Sequence, residues 1–223
     1  MKSLFKRVQH AVFGAPSVKF QRERMAMVDI ETFDIEPTAA FYAIGARMFT
    51  LGQRATQYRI DPDNVMGDKL AIPDCPDFLQ YVNPEAMLRD PRFTSSRSTL
   101  DWTMEKNLVE YNRARRQGLP VDEVLDLFDD WVATQKPEYV CSNSPVFDHA
   151  ILRHGYKVLD RGEFPAHFRT DFDVRTVGHL RSLMGMPRYA PREGNRLHSP
   201  LDDCTIQINA IAGFIQAVEM RKW

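Results

Sequence analysis

The sequence predicts an α/β fold, a mixed sheet flanked by helices, and three observations carry that prediction. Apolar or alternating runs crowd together between residues 25 and 60. Helical periodicity takes over from residue 100. Two further strand-like segments then interrupt the helices. Closely spaced strands pair most economically as an antiparallel meander, while strands that return after helices join a sheet in parallel.

The elements follow in order. MAMVDI, residues 25–30, is a short apolar run ending in acids, the pattern of a central strand. FYAIGARMF (41–49) is rich in aromatic and small residues, and RATQYRI (54–60) alternates; both read as strands and complete a three-strand meander. Residues 61–97 are full of Pro, Asp, Asn and Ser, which predicts loops and one short helix around Pro76–Val82. Within them DPDNVMGDKLAI has the look of a calcium loop, but its twelfth position is Ile72 where such a loop needs Glu, which excludes it.

Leu100, Met104, Leu108 and Tyr111 recur at helical spacing and predict one apolar face. Val124, Leu127, Phe128 and Trp131 form another, after Pro120, a good helix-start residue. Trp102, Phe128 and Trp131 are read as core. EYVC (138–141) is a compact strand, followed by a helix from Val146 to about Tyr156. Phe168–Phe172 reads as a last strand leading into a helix over Val174–Met184. MPRYAPREGNR (186–196) is a loop, and the final helix runs from Pro200 to about Met220 with Ile208, Ile211, Ile215 and Val218 on one stripe. The expected organisation is one domain over residues 25–223 behind a basic lead-in, residues 1–24, whose apolar stretch is too short and broken for a secretory signal.

Composition narrows the function. The chain has 223 residues, of which 43% are hydrophobic and 26% charged, ordinary values for a globular protein. A formal net charge of −1 excludes a globally basic nucleic-acid binder, so any polyanion is held locally or through metal. Cys75, Cys141 and Cys204 are odd in number and lack metal-ligand spacing, which points to reduced thiols and a cytoplasmic setting. No apolar run reaches the length of a membrane span.

Acids gather at element ends. Asp29 and Glu31 are two positions apart, on one face of the first strand. Asp148, in NSPVFDHA, lies on the first turn of the helix after EYVC. His198 precedes Asp203 by five positions in HSPLDD, where the last helix begins. Carboxylates converging from distant elements cannot all stay ionised without a compensating charge. Hard oxygen donors suit magnesium or manganese; zinc would draw more His or Cys. Two such ions about 3.5–4 Å apart are the recurrent device for phosphodiester cleavage.

In that order, Asp-x-Glu in VDIETFD, Asn-x-x-x-Phe-Asp in SNSPVFD and His-x-x-x-x-Asp in HSPLDD, the sequence resembles the DnaQ-like 3′-to-5′ exonucleases, in their subtype with four acids and a histidine. The likeness covers about residues 25–220, and the contexts VDIETFDIEPTAAFYAIGA and RLHSPLDDCTIQ are most similar to exonuclease VIII-like and phage-encoded members. The resemblance implies a ribonuclease H-like fold. It implies that Asp29, Glu31, Asp148 and Asp203 hold two magnesium or manganese ions, and that His198, beside a Gly- and Pro-containing loop from which it swings in, is the general base. Asp203 is preferred over Asp202 on the family's spacing. Thr32 and Phe33 would line the 3′-terminal nucleotide pocket, with Phe33 stacking or wedging against a base. Arg188, Arg192 and Arg196 are candidate phosphate contacts, whereas His149, His154, His167 and His179 belong to no motif.

The implied activity is release of nucleoside 5′-monophosphates from the 3′ ends of single-stranded DNA or RNA, between which the sequence does not choose. Relatives often form dimers, so a homodimer is part of the expectation. Two departures stand out. After VDIE the common proofreading pattern continues Thr-Thr-Gly, and here it is Thr-Phe-Asp; Pro200 sits in HSPLDD where Ala is frequent. A proline is tolerated in a helix's first turn. The alternatives are a non-catalytic nucleic-acid-binding module on the same fold and a structural or replisome-docking protein using the basic lead-in and the loop-rich region 61–97.

Overall fold

The central strand β1 (Arg24–Thr32) pairs antiparallel with β2 (Phe41–Thr50) on one side and parallel with β4 (Tyr139–Ser142) on the other. β3 (Asp77–Tyr81) extends the β2 edge antiparallel, and β5 (Asp171–Asp173) extends the β4 edge in parallel. The five-stranded mixed sheet therefore has the order β3-β2-β1-β4-β5. The computed structural model describes residues 20–55, 75–187, 189 and 198–220. Residues 1–19 of the basic lead-in, 56–60 of the expected third strand, and Arg188, Arg192 and Arg196 lie outside the described residues.

Helices cover both faces. α1 (Pro84–Arg89), α2 (Arg97–Lys106), α3 (Leu108–Gln117) and α4 (Val121–Gln135) fall between β3 and β4. α5 (Asp148–Val158) follows β4, and α6 (Val174–Leu183) and α7 (Pro200–Glu219) follow β5. β1 alternates between two cores, as the two-residue strand period requires. Ala26, Val28 and Ile30 pack in a cluster with Phe128 and Trp131 of α4 and Ile151 and Leu152 of α5. Met25 and Met27 pack in a second cluster with Ile208, Ile211 and Ile215 of α7. Among the described residues, no helix is long and apolar enough to cross a membrane.

Three expectations are corrected. The strand that extends β2 is Asp77–Tyr81, where the sequence predicts a short helix, and Arg54 and Ala55, the described residues of the expected third strand, are not in a strand. The segment reads as a helix start because Pro76 precedes it and polar residues interrupt its apolar pattern. In the fold Asp77 is buried but satisfied, its Oδ1 accepting from Arg47 Nε at 2.8 Å. Trp131 and Gln135 of α4 pin the strand's approach by donating to the Cys75 carbonyl at 3.1 and 3.0 Å.

The second correction is the stripe through Leu100, Met104, Leu108 and Tyr111. The helix breaks at Asn107, which ends α2 and precedes α3 with φ −130° and ψ 28°, and Met104 and Leu108 are exposed. Trp102 is the third. It is 38% exposed rather than core, while Phe128 and Trp131 are buried as expected.

Candidate active site

Register assembles the site. Asp29 lies opposite Gly45 and Glu31 opposite Ala43, and the register shifts between Glu31 and Thr32, which ends regular pairing beside the second acid. Asp29 and Glu31 share the face of β1 on which Met25 and Met27 meet α7. Gly45 presents no side chain on that face, and the first turn of α7 fills the space. A Cβ on Gly45 would lie 2.4 Å from Pro200 Cβ and 2.9 Å from its carbonyl carbon. Arg47 on the same strand donates to Thr205 Oγ1 at 2.7 Å and holds α7 in that seat.

The close seat brings Asp203 over the strand. One carboxylate oxygen each from Asp29, Glu31 and Asp203 lies within 4.8 Å of the others. Burial raises Asp29 well above the ordinary carboxylate range, and the charges of Asp148, Asp203 and Glu31 add to it. Burial is also the main cause for Glu31, followed by the charges of Asp203 and Glu110. Asp203 is pushed up to about 6, mainly by burial, against a backbone N–H of His198 that favours its charged form.

Asp148 opens α5 at the C-terminal end of β4 and is buried. Its Oδ2 accepts from the Ser144 N–H at 3.4 Å, and burial raises its pKa. It does not join the three-oxygen group, but its charge is the largest electrostatic contribution raising Asp29. Asp202 is buried beside Asp203 and lies outside the group as well. The donor set fits a hard divalent cation: three carboxylate oxygens, with no imidazole or thiolate among them. Cys204 is close by, but its thiol is pushed well above its ordinary pKa by burial and donates to the Met27 carbonyl at 3.5 Å.

Two amides orient these acids. Gln207 Nε2, one turn beyond Asp203 on α7, donates to Asp29 Oδ1 at 2.9 Å. Asn107 Nδ2, at the α2–α3 break, donates to Glu31 Oε2 at 2.8 Å and to the Tyr42 hydroxyl at 3.0 Å. Behind them Glu110 and Arg113 form a buried ion pair, and Tyr81 donates to Glu110 Oε2 at 2.5 Å.

A cleft of about 440 Å³ opens beside the acids, lined by Glu31, Thr32, Asp34, Ile35, Trp102 and Phe147 among others. His198 has left-handed backbone, φ 62°, and its ring meets Trp102 edge-on with centroids 4.7 Å apart. Burial lowers its pKa, which favours the neutral imidazole. Thr32 lines the cleft and donates its hydroxyl to the Asp34 carbonyl at 2.8 Å. The stacking or wedging role expected of Phe33 does not fit its position. Phe33 is 0% exposed, stacked on Tyr42 at 4.6 Å and edge-on to Tyr111. The aromatic residues that line the cleft are Trp102 and Phe147. His149, His154 and His167 serve the fold, bonding Asp171, the Arg92 carbonyl and the Arg169 N–H respectively.

Asn107, Gln207 and Gly45 carry no role in the sequence analysis, and Trp102 enters it only as core. Gln207 alone carried a local signal, because a residue four positions after Asp203 shares its helix face.

The fold is similar to the nuclease domain of 3′hExo, a DEDDh family member bound to rAMP, with a TM-score of 0.54 and 12% identity over 89% of this chain and 94% of that one. It is similar to a 3′-exonuclease solved in 3′-end-specific recognition of a histone mRNA stem-loop, with a TM-score of 0.54 and 12% identity over 98% and 72% of the two chains. E. coli exonuclease I, in complex with a dT13 oligonucleotide, gives a TM-score of 0.55 at 12% identity over 90% of this chain but only 42% of its own, so the chain spans less than half of that enzyme. These likenesses identify the ribonuclease H-like fold of DEDDh exonucleases. No curated protein sequence matches the chain. The family model for the 3′-5′ exoribonuclease Rv2179c-like domain matches residues 24–215, from the first residue of β1 well into α7. That span takes in all three acidic segments, and the chain accordingly belongs to the Rv2179c-like 3′-5′ exoribonuclease domain family and is a 3′-5′ exonuclease.

Proposed function

We propose that the chain releases nucleoside 5′-monophosphates one at a time from the 3′ end of single-stranded RNA. The observation that carries this reading is the convergence of Asp29, Glu31 and Asp203 oxygens within 4.8 Å beside a cleft lined by Glu31 and Trp102, whose ring His198 touches. RNA is favoured over DNA by the family's description as exoribonucleases. The narrower likeness to exonuclease VIII-like and phage-encoded members rests on the contexts of the sequence motifs.

Asp29, Glu31, Asp148 and Asp203 would hold the cations, two magnesium or manganese ions in the full reading. When bound, such ions supply positive charge to the phosphate and acidify bound water. The chain's own groups do the rest. Asn107 and Gln207 orient the carboxylates, and the cleft receives the terminal nucleotide with its base against Trp102. His198, neutral near pH 7 because burial lowers its pKa, takes the proton of the attacking water. The water oxygen bonds to phosphorus, the bond from phosphorus to the 3′ oxygen of the preceding nucleotide breaks, and that oxygen takes up a proton from solvent.

The test is a time course on 3′- and 5′-labelled RNA and DNA oligonucleotides with magnesium, manganese or EDTA, with Asp29→Ala alongside. Metal-dependent, stepwise loss from the 3′ end that disappears in the variant is expected, faster on RNA. Binding without release under any metal would replace this reading with a non-catalytic binding module.

A further inference from the structure

α6 and α7 leave a groove of about 400 Å³ between them, lined in part by Asn143, Arg175, His179, Arg181, Ser182 and Gln207. No Asp or Glu is among its described lining residues, although acids outnumber Lys and Arg in the chain, 30 to 29. Arg175 and His179 stand one turn apart on α6, both exposed. Arg54, outside the groove's lining, comes up to Arg181 at its α7 side: a Cβ on Gly213 of α7 would meet Arg181 Nη1 at 3.3 Å and Arg54 Nη2 at 3.8 Å, so these two guanidinium groups share one patch of helix surface. Burial and the Arg54 charge together lower the Arg181 pKa. Arg181 donates to the carbonyls of Ala210 and Pro187. Among the described residues no carboxylate pairs with Arg54, Arg175 or Arg181. The Asp173 carboxylate caps the start of α6 through the Arg175 N–H at 2.9 Å and leaves the guanidinium groups themselves unpaired, which favours an anion beside them.

The groove adjoins the acid cluster through one side chain. Gln207 lines it and also donates to Asp29 at 2.9 Å. Arg175 N–H also donates to the Asn143 carbonyl at 3.1 Å, tying the start of α6 to the loop that leads into Asp148. The Trp102 cleft reaches the cluster at Glu31, and the groove approaches it through Gln207, the donor to Asp29.

We propose that this groove carries the phosphate backbone of the substrate strand on the 5′ side of the linkage being cut, with Arg54, Arg175 and Arg181 as its phosphate contacts. The proposal rests on the exonuclease reading above, which puts the 3′-terminal nucleotide in the Trp102 cleft. It gives a protein without a basic surface a local path for a polyanion.

Salt dependence tests it on the full chain. A 5′-fluorescein-labelled 12-nucleotide RNA is titrated by anisotropy in EDTA over a salt series, with the unmodified protein, Arg175→Ala, Arg54→Ala, the double variant, and Arg116→Ala, an exposed arginine of α3 away from the groove, as control. Each lost single-strand phosphate contact should lower the slope of log K against log salt by about 0.7. The double variant is therefore expected to lose about 1.4 of slope, and its kcat/KM ratio of 12-mer to dinucleotide should fall, with both quantities unmoved in Arg116→Ala. If the unmodified protein binds and trims RNA while both variants keep its slope, the groove is not the strand's path and the exonuclease reading survives. A slope that falls equally in Arg116→Ala also overturns the proposal, since the loss then reflects net charge. An unmodified protein that neither binds nor trims removes the exonuclease reading, and the groove with it.

Discussion

Asn107 donates its side-chain amide to Glu31 at 2.8 Å from the residue at which α2 gives way to α3. Its second amide proton reaches Tyr42, so both donors are committed and the residue is 4% exposed. The break is thus tied to the acid cluster. It is the side-chain contact, more than a helix-breaking residue type, that accounts for two helices where the apolar spacing predicts one.

Asn107→Ala should leave a Glu31 oxygen without its donor. Removing groups that orient metal ligands typically lowers metal affinity or activity by about 10–100-fold. A fall of that size in kcat/KM is expected, with more magnesium needed for half-maximal activity. Asn107→Asp should be worse, because it sets a second carboxylate against Glu31. Steady-state rates over a magnesium series check this; native rates at low magnesium in Asn107→Ala would remove Asn107 from the site.

The acid cluster predicts how stability changes with pH when metal is withheld. Asp29, Glu31 and Asp203 have raised pKa values in the folded protein, Asp203 up to about 6. A carboxyl group of this kind holds its proton more tightly folded than unfolded. Its stabilising contribution is complete below the unfolded value of about 4 and is lost as pH rises through the folded value. In EDTA the melting temperature should therefore fall between about pH 5 and pH 8. Manganese should flatten the fall by compensating the charges, and Asp29→Asn should shrink it. Asp171, whose pKa is lowered through His149 and Arg153, is already ionised there and does not contribute. A metal-free melting temperature that climbs over this range would contradict the assignment.

Trp102 offers its ring to the cleft, and base–aromatic stacking is worth about 1–3 kcal/mol. Trp102→Ala should raise KM at least fivefold and lower kcat as well, since the same ring abuts His198. Trp102→Phe should keep most of the binding. The kinetic constants on one RNA oligonucleotide decide it, and an unchanged KM in Trp102→Ala would place the base elsewhere.

Much of this architecture was legible because strands and helices carry their own periods. β1, β2, β4 and the helices α4 to α7 lie close to their expected places, and the i, i+2 spacing already put Asp29 and Glu31 on one face. What escaped depended on partners distant in sequence. Asp77 is acceptable in a buried strand only because Arg47 lies on the neighbouring one. Trp102 looks like core on any helical wheel until the exposed face of α2 is found beside Glu31. Phe33 follows an acidic motif in the chain, yet the shift in register after Glu31 accompanies a turn of its ring inward onto Tyr42. Gly45, an unremarked small residue in FYAIGARMF, proves to set the distance between strand and helix.

That last contact leads to a test of how the site is held. Gly45 is the cross-strand partner of Asp29, and Asp203 lies three residues beyond Pro200. Gly45→Ala places a methyl group 2.4 Å from Pro200 Cβ and 3.2 Å from the Leu201 nitrogen. Those contacts include helix backbone, so they cannot be relieved by a rotamer change, and the first turn of α7 must move away from β2. Overpacking of this kind costs about 1–3 kcal/mol, readable as a lower urea midpoint. The larger effect should be on activity, because the displaced turn carries Asp203 away from Asp29 and Glu31, and a misplacement of about 1 Å can lower a rate 100-fold. Activity should therefore drop further than the folded fraction does, at a temperature where the variant remains native by circular dichroism. The manganese concentration for half-maximal rate should rise with it. Full activity in a folded Gly45→Ala would mean that the seat of α7 is not what sets the spacing of the acids.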